Sequence, residues 1–298
     1  MLDGLHFLLT YQCLYECDHC FLYCGPHMEG TFTFDQVTQA IEQGIEAGIE
    51  SVYFEGGEPF LYYPLMVESL RYAKSRNLEC GIVTNCYWAN SEKDAELWLK
   101  PLVDIGVDDL SVSNDSFHSD DPARSPAQTA YDVARRLGLP SGSICIEAPT
   151  VISDYEHEKG DAVEGGGALF KGRAVEKLVE GQPRKRYDCF TECTSEDLTH
   201  PSRVHLDPFG NVFVCQGLSI GNIWQKPLKE IMNDFEPSRH PVIGPLVEGG
   251  PARLVEIFGL PDGDSYVSEC HLCYLVRKRL IDRFPDYLCP KQVYGESE

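Results

Sequence analysis

The chain has 298 residues and a formal net charge of −22 at neutral pH. That balance excludes binding to a nucleic-acid backbone, which needs clustered Lys and Arg to displace counterions. Hydrophobic residues make up 43% of the chain, enough for a sizeable core, yet no run of about 18 apolar residues is present and no membrane span is expected. The thirteen cysteines are odd in number and bunched toward both ends. With no export signal ahead of them, they point to metal or redox chemistry in the cytoplasm rather than to a secreted disulfide framework.

The N-terminal stretch MLDGLHFLLTYQC lacks a basic leader and reads as a first strand over residues 6–11. Further short runs rich in β-branched and other apolar residues predict strands at 51–55, 80–84, 109–112 and 143–147. Helices are expected between them at 34–47, 65–75, 92–103 and 127–137; the first follows Thr33 and carries Val37, Ile41 and Ile45 on one face. Repeated strand–helix–strand units with short loops specify a parallel sheet, because parallel neighbours need crossover helices. Five or six such units either stay open or close partly into a barrel.

Residues 154–167, with Glu156, Glu158, Asp161, Glu164 and four glycines, read as a solvated lid, and residues 171–178 resume a strand-to-helix character. From about residue 187 the pattern changes. A hairpin-type turn is expected at Asp207-Pro208-Phe209-Gly210-Asn211. Short helices should follow at 227–235 and 252–258, with another at 273–284. A domain boundary is placed near residue 186, giving an α/β unit over 1–186 and a small irregular α+β unit over 187–298.

Directly after the first strand stand Cys13, Cys17 and Cys20, at spacings of four and three residues. Three thiolates so spaced can wrap one cubane cluster and leave the fourth iron open for a substrate or cofactor. A structural zinc site that adds Cys24 or His19 is the alternative on spacing alone. At the end of the second strand lies Glu55-Gly56-Gly57-Glu58-Pro59. Its glycines permit close backbone approach to a ligand, and its carboxylate suits an ammonium.

Cx3Cx2C after a first strand, followed by Gly56-Gly57-Glu58-Pro59 after a second, resembles the radical S-adenosylmethionine (radical SAM) superfamily. The resemblance implies a partial parallel (β/α)6 barrel. It implies a [4Fe–4S] cluster on Cys13, Cys17 and Cys20 that binds S-adenosylmethionine, whose amino group is held by the Gly-Gly-Glu segment. Softer matches imply further contacts at Asn85, Ser111, Ser113 and Arg173, the last as a partner for the methionine carboxylate. Thr84-Asn85-Cys86 resembles the family's TNG with Cys86 in place of the glycine, and His19 fills the place of an aromatic that seats adenine.

Cys189, Cys193, Cys215, Cys270, Cys273 and Cys289 form a second group. Gly210-x4-Cys215, preceded by Cys193 and followed by Cys270-x2-Cys273, resembles the SPASM/twitch extension of radical SAM enzymes. It departs from the full SPASM pattern after Cys273. The resemblance implies one auxiliary [4Fe–4S] cluster on Cys193, Cys215, Cys270 and Cys273, with Cys189 and Cys289 open as substitutes. A four-cysteine zinc site is the competing reading.

The implied activity is reductive cleavage of S-adenosylmethionine and hydrogen abstraction from substrate, with an external donor such as flavodoxin or ferredoxin. An auxiliary cluster that accepts the second electron makes the outcome a net oxidation, as in twitch enzymes that oxidise an aminocyclitol alcohol. A chain beginning some twelve residues before its cluster loop leaves no room for a peptide-recognition domain. A small-molecule substrate is therefore expected, with a ribosomal peptide delivered by a separate partner as the alternative. Two other classes stay open: a non-catalytic iron–sulfur or zinc protein, which leaves Gly56–Pro59 unexplained, and a thiol–disulfide enzyme using Cys270 and Cys273.

Overall fold

The structure, a computed structural model, describes residues 2–151, 163–164, 167–261 and 263–297. The first half alternates as the sequence dictates: β1 (Gly4–Thr10), α1 (Phe34–Ala47), β2 (Ser51–Gly56), α2 (Tyr63–Ser75), β3 (Glu79–Thr84), α3 (Glu92–Ile105), β4 (Asp109–Ser113), α4 (Pro126–Leu137) and β5 (Ser141–Ile144). Local chemistry sets the helix ends. Thr33 and Gln36 form a capping box at the start of α1, and Gly48 closes it in the left-handed conformation. Ser91 and Ser125 cap α3 and α4.

Two short strand pieces, β6 (Thr150–Val151) and β7 (Val163–Glu164), pair antiparallel. The expected acidic lid over 154–167 otherwise lies almost wholly outside the described residues. The later elements are α5 (Ala174–Lys177), β8 (Lys185–Arg186), β9 (Arg203–Leu206), β10 (Asn211–Cys215), β11 (Leu218–Asn222), α6 (Leu228–Asp234), α7 (Ile243–Phe258), β12 (Ser265–Tyr266) and α8 (Glu269–Leu280).

One sheet organises the molecule, in the order β11-β10-β9-β1-β2-β3-β4-β5. The run from β9 through β1 to β5 is parallel throughout, while β10 and β11 add an antiparallel hairpin. The α/β fold with a partial parallel barrel is therefore as the sequence indicated. The sheet also continues past residue 186, because β9 pairs directly with β1. Asp207 secures this join: it accepts from the Asn211 and Phe209 amides inside its own turn and from the Tyr11 hydroxyl at 3.1 Å, just beyond β1.

Strand alternation separates two faces. Leu5, Phe7 and Leu9 of β1 are buried, and Leu5 packs on α1 at Gly44. Phe7 stacks on Phe54 of β2 with ring centroids 5.2 Å apart. The intervening residues His6, Tyr53 and Glu55 face the barrel interior. Phe54→Ala should cost about 3–5 kcal/mol in urea unfolding through the cavity it leaves; a cost near zero would contradict this placement of the core.

Candidate active site

The loop after β1 carries the first cysteine group at the C-terminal end of the parallel strands, where such sheets build their sites. Backbone bonds fold it back on itself: Tyr11 N donates to Gly30 O and Cys13 N to Gly25 O, each at 3.1 Å, and Cys20 N donates to Cys17 O at 3.0 Å. Cys13, Cys17 and Cys20 all line one cleft, together with Gly56, Gly57, Asn85 and Ser113. Burial pushes the Cys13 and Cys17 thiols up, to about 11 and about 12. They therefore stay protonated until a metal displaces the proton.

The glycines are needed for contact rather than for a turn alone. A Cβ on Gly57 would lie 2.0 Å from Gln12 O, and Gly57 N donates to Thr10 O at 2.8 Å. The β2 end is thus pressed against the start of the cysteine loop. Glu58 does not reach the cleft, contrary to the role expected for its side chain. Its carboxylate is fully buried and accepts from Phe60 N, Thr84 Oγ1 and Asn85 N at 3.0, 2.9 and 2.8 Å. Burial nevertheless pushes it up to about 7. Glu58 ties the β2 end to the β3 end, with Pro59 buried beside it.

Asn85 lines the cleft and donates to Cys13 Sγ at 3.5 Å. Cys86, standing where the resemblance calls for glycine, adopts φ 60° and is wholly buried. Ser113 lies on the cleft, but Ser111 does not: its hydroxyl is deeper along β4 and donates to Asp109 at 3.0 Å.

His19 lines the cleft with its buried Nδ1 lacking a protein partner, and burial lowers its imidazole to about 4. An orphaned ring nitrogen in the cleft fits a ligand with hydrogen-bonding edges, such as an adenine.

Arg173 is placed differently from the expectation. It does not line the cleft; it lies behind the cysteine loop and donates to Cys17 O and Cys24 O, both at 2.8 Å. Its own amide donates to Cys20 O at 2.9 Å. The neighbouring Gly172 has φ +62°, and a Cβ there would lie 2.5 Å from Cys20 O. The guanidinium thus holds loop carbonyls through both terminal nitrogens.

Two cleft residues carried no sequence signal. Asp115, just past β4, accepts from His118 Nδ1 at 2.7 Å and from the Phe117 and Ile146 amides. Burial raises the Asp115 carboxyl, but the bond and charge of His118, the Ile146 amide and His19 together leave the group below its usual range. Both residues line the cleft. A Asp-x2-His turn is common in loops, so only its place after a strand could have marked it.

The second cysteine group converges as well. Cys193, Cys215, Cys270 and Cys273 line one small pocket with Lys171 and Arg277, while Cys189 is exposed and Cys289 lies elsewhere. Lys171 Nζ lies 3.6 Å from Cys215 Sγ. Arg277 is buried and its Nε has no partner. Two buried cations facing four thiols suit thiolates and an anionic centre.

Sulfur spacing then bears on the metal. A tetrahedral zinc with bonds of about 2.3 Å draws its sulfurs to within about 4 Å of one another. Among the described residues, neither cysteine group brings three sulfurs within 4.8 Å of one another.

Arg173→Met removes two charge-assisted bonds and should cost about 3 kcal/mol or more in urea unfolding, with a fall in iron taken up by the first site. Unchanged stability and iron would contradict the clamp. Asp115 supplies a pH test. Its pairing stabilises the fold above the ordinary Asp value of about 4, and that contribution fades as pH falls through the lower folded value. Asp115→Asn should differ most from the native protein above pH ~4 and converge with it in acid; a pH-independent difference would contradict the pairing.

Residues 7–146 match the model of the Radical SAM superfamily. In sequence, a 115-residue stretch is 26% identical to YydG of Bacillus subtilis (strain 168), a protein named for peptide biosynthesis. The stretch is 37% of this chain and 35% of YydG, so the chain spans about a third of that relative. In structure, BtrN in complex with AdoMet and 2-DOIA aligns over 78% of this chain and 83% of its own, with a TM-score of 0.52 at 15% identity, a likeness of fold. Methylornithine synthase (PylB) aligns over 48% of this chain and 44% of its own with a TM-score of 0.37 and 15% identity. The family match covers the segment that carries the cysteine loop and the Gly-Gly-Glu-Pro turn, so residues 7–146 form a radical SAM domain.

Proposed function

We propose that the enzyme oxidises its substrate by hydrogen abstraction, with one [4Fe–4S] cluster on Cys13, Cys17 and Cys20 and an auxiliary [4Fe–4S] cluster on Cys193, Cys215, Cys270 and Cys273. The observation that carries the reading is the convergence of each cysteine set on its own cavity. When bound, the first cluster and S-adenosylmethionine supply a 5′-deoxyadenosyl radical, and the second cluster supplies an acceptor for the remaining electron.

The chain's own part is to bind, orient and exclude water. The backbone of Gly56 and Gly57, with Asn85, Ser113 and the unpartnered nitrogen of His19, offers polar contacts in an otherwise apolar cleft. The Asp115–His118 pair presents an oriented imidazole at that cleft, suited to accept a proton from an oxidised carbon's hydroxyl or amide. Lys171 and Arg173, two residues apart, touch the auxiliary thiols and the cysteine loop respectively, so one rigid segment spaces the two centres. An external one-electron donor completes the cycle.

A small molecule is the substrate class we favour, in keeping with a compact apolar cleft. The likeness to YydG, named for peptide biosynthesis, favours a second reading in which a peptide is modified. The boundary near residue 186 is retained as the start of the auxiliary-cluster unit, although its β9 completes the barrel sheet.

Iron and sulfide counted after anaerobic reconstitution test the proposal. About eight irons per chain should fall to about four when Cys13, Cys17 and Cys20 are changed together to Ala. About four falling to none would remove the auxiliary cluster, and zinc in place of iron throughout would overturn the reading.

A further inference from the structure

Three adjacent parallel strands aim polar side chains at one point inside the barrel. His6 of β1 and His205 of β9 are direct Cα partners, and Glu55 comes from the end of β2. His205 Nε2 lies 3.0 Å and His6 Nδ1 3.4 Å from the same carboxylate oxygen, Glu55 Oε1. One donor atom from each of the three lies within 4.8 Å of the others. We propose that His6, Glu55 and His205 form a mononuclear divalent transition-metal site of the zinc type, separate from both cysteine centres, with its open position facing the cleft.

Spacing is the first argument. Zinc bonds of about 2.0–2.1 Å in tetrahedral array place neighbouring donor atoms about 3.3 Å apart, and the two observed separations bracket that value. Two imidazoles and one carboxylate also form a donor set that zinc and its first-row neighbours favour.

Charge is the second argument. Glu55 is shielded, and among the described residues no Lys or Arg pairs with it; its partners are the two histidines. Both histidines address the same oxygen, Oε1. A bound cation would satisfy the carboxylate and both imidazole lone pairs together.

Preorganisation is the third. The His6 ring stacks on Tyr53 with centroids 4.8 Å apart and meets His205 edge-on at 5.1 Å. Tyr53 in turn lies over Gly81, where a Cβ would come within 2.1 Å of the ring. The rings are fixed before any metal arrives.

The other mixed group, His19, Asp115 and His118, is a poorer candidate. Asp115 already accepts three protein hydrogen bonds.

Glu55 lines the cleft beside Gly56 and Gly57. Three protein ligands with a fourth position open to the cleft is the arrangement of a Lewis-acid site, and the ligand it would take is an oxygen, from a carbonyl or carboxylate. This site stands whether or not the auxiliary cluster exists.

The test uses reconstituted protein, whose cluster thiols are already engaged, with the exposed Cys145 and Cys189 changed to Ser. Zinc chloride is supplied by anaerobic equilibrium dialysis, and zinc, iron and sulfide are counted per chain. About one zinc per chain is expected, with affinity lowered at least about tenfold in Glu55→Gln and in His205→Gln. Glu55→Gln keeps the volume and an acceptor oxygen, so unchanged iron and sulfide certify its fold. No retained zinc, or equal zinc affinity in the native protein and both variants, would overturn the site. Failure of the two-cluster reading is seen separately, in the iron count.

Discussion

The site depends on one clamp, the segment Lys171-Gly172-Arg173. A loop of this length after β1 has many backbone polar groups and few strand bonds to hold them. Arg173 answers with two charge-assisted bonds to carbonyls on either side of Cys20, and its amide takes the carbonyl of Cys20 itself. Gly172 makes this contact possible, since any side chain there would strike the loop. From the same segment Lys171 turns the other way, toward Cys215 and Gln216. Three consecutive residues thus fix the position of one cysteine group relative to the other.

A second constraint joins the loop to the sheet. Gly57 and Glu58 donate their amides to Thr10 and Gln12. The Glu58 carboxylate then fastens the β2 end to Thr84 and Asn85, and Asn85 reaches Cys13. The ends of β1, β2 and β3 are therefore linked through one buried acid. Its cost of burial is met by three donors rather than by a cation, which keeps the cleft floor rigid.

Much of this was legible in the sequence, and the rest was hidden for physical reasons. The regular β/α units announced themselves because each strand is a short apolar run and the helical stretches lie between them, the first opening after its cap Thr33. The helix predicted at 252–258 is the second half of α7, whose first half begins at Ile243. Gly249, Gly250 and Pro251 interrupt the helical pattern, and the structure has a kink there. The helix expected from residue 273 starts at Glu269, because Ser268 supplies its cap. The hairpin turn expected at 207–211 joins β9 to β10, but the pairing of β9 with β1, which completes the interior and brings His205 to His6, has no linear signal.

Among site residues, the cysteines and glycines were readable because their chemistry is bound to spacing along the chain. Arg173 and Glu58 were recognised as important but assigned to a ligand, whereas the fold uses them on its own backbone. Motif matching gives position and not direction. Asp115 and His118, or His6 and Glu55, are joined through space by the sheet, and no linear spacing encodes them.

The account stands on the cysteine loop being the place where S-adenosylmethionine is opened. The most direct measurement is 5′-deoxyadenosine formed by the reconstituted, dithionite-reduced protein, set beside Cys17→Ala and beside a variant with Cys193, Cys215, Cys270 and Cys273 all changed to Ala. The account predicts product from the native protein, none from Cys17→Ala, and retained cleavage in the four-cysteine variant. Product from Cys17→Ala, or none from native protein that carries its full iron, would contradict it.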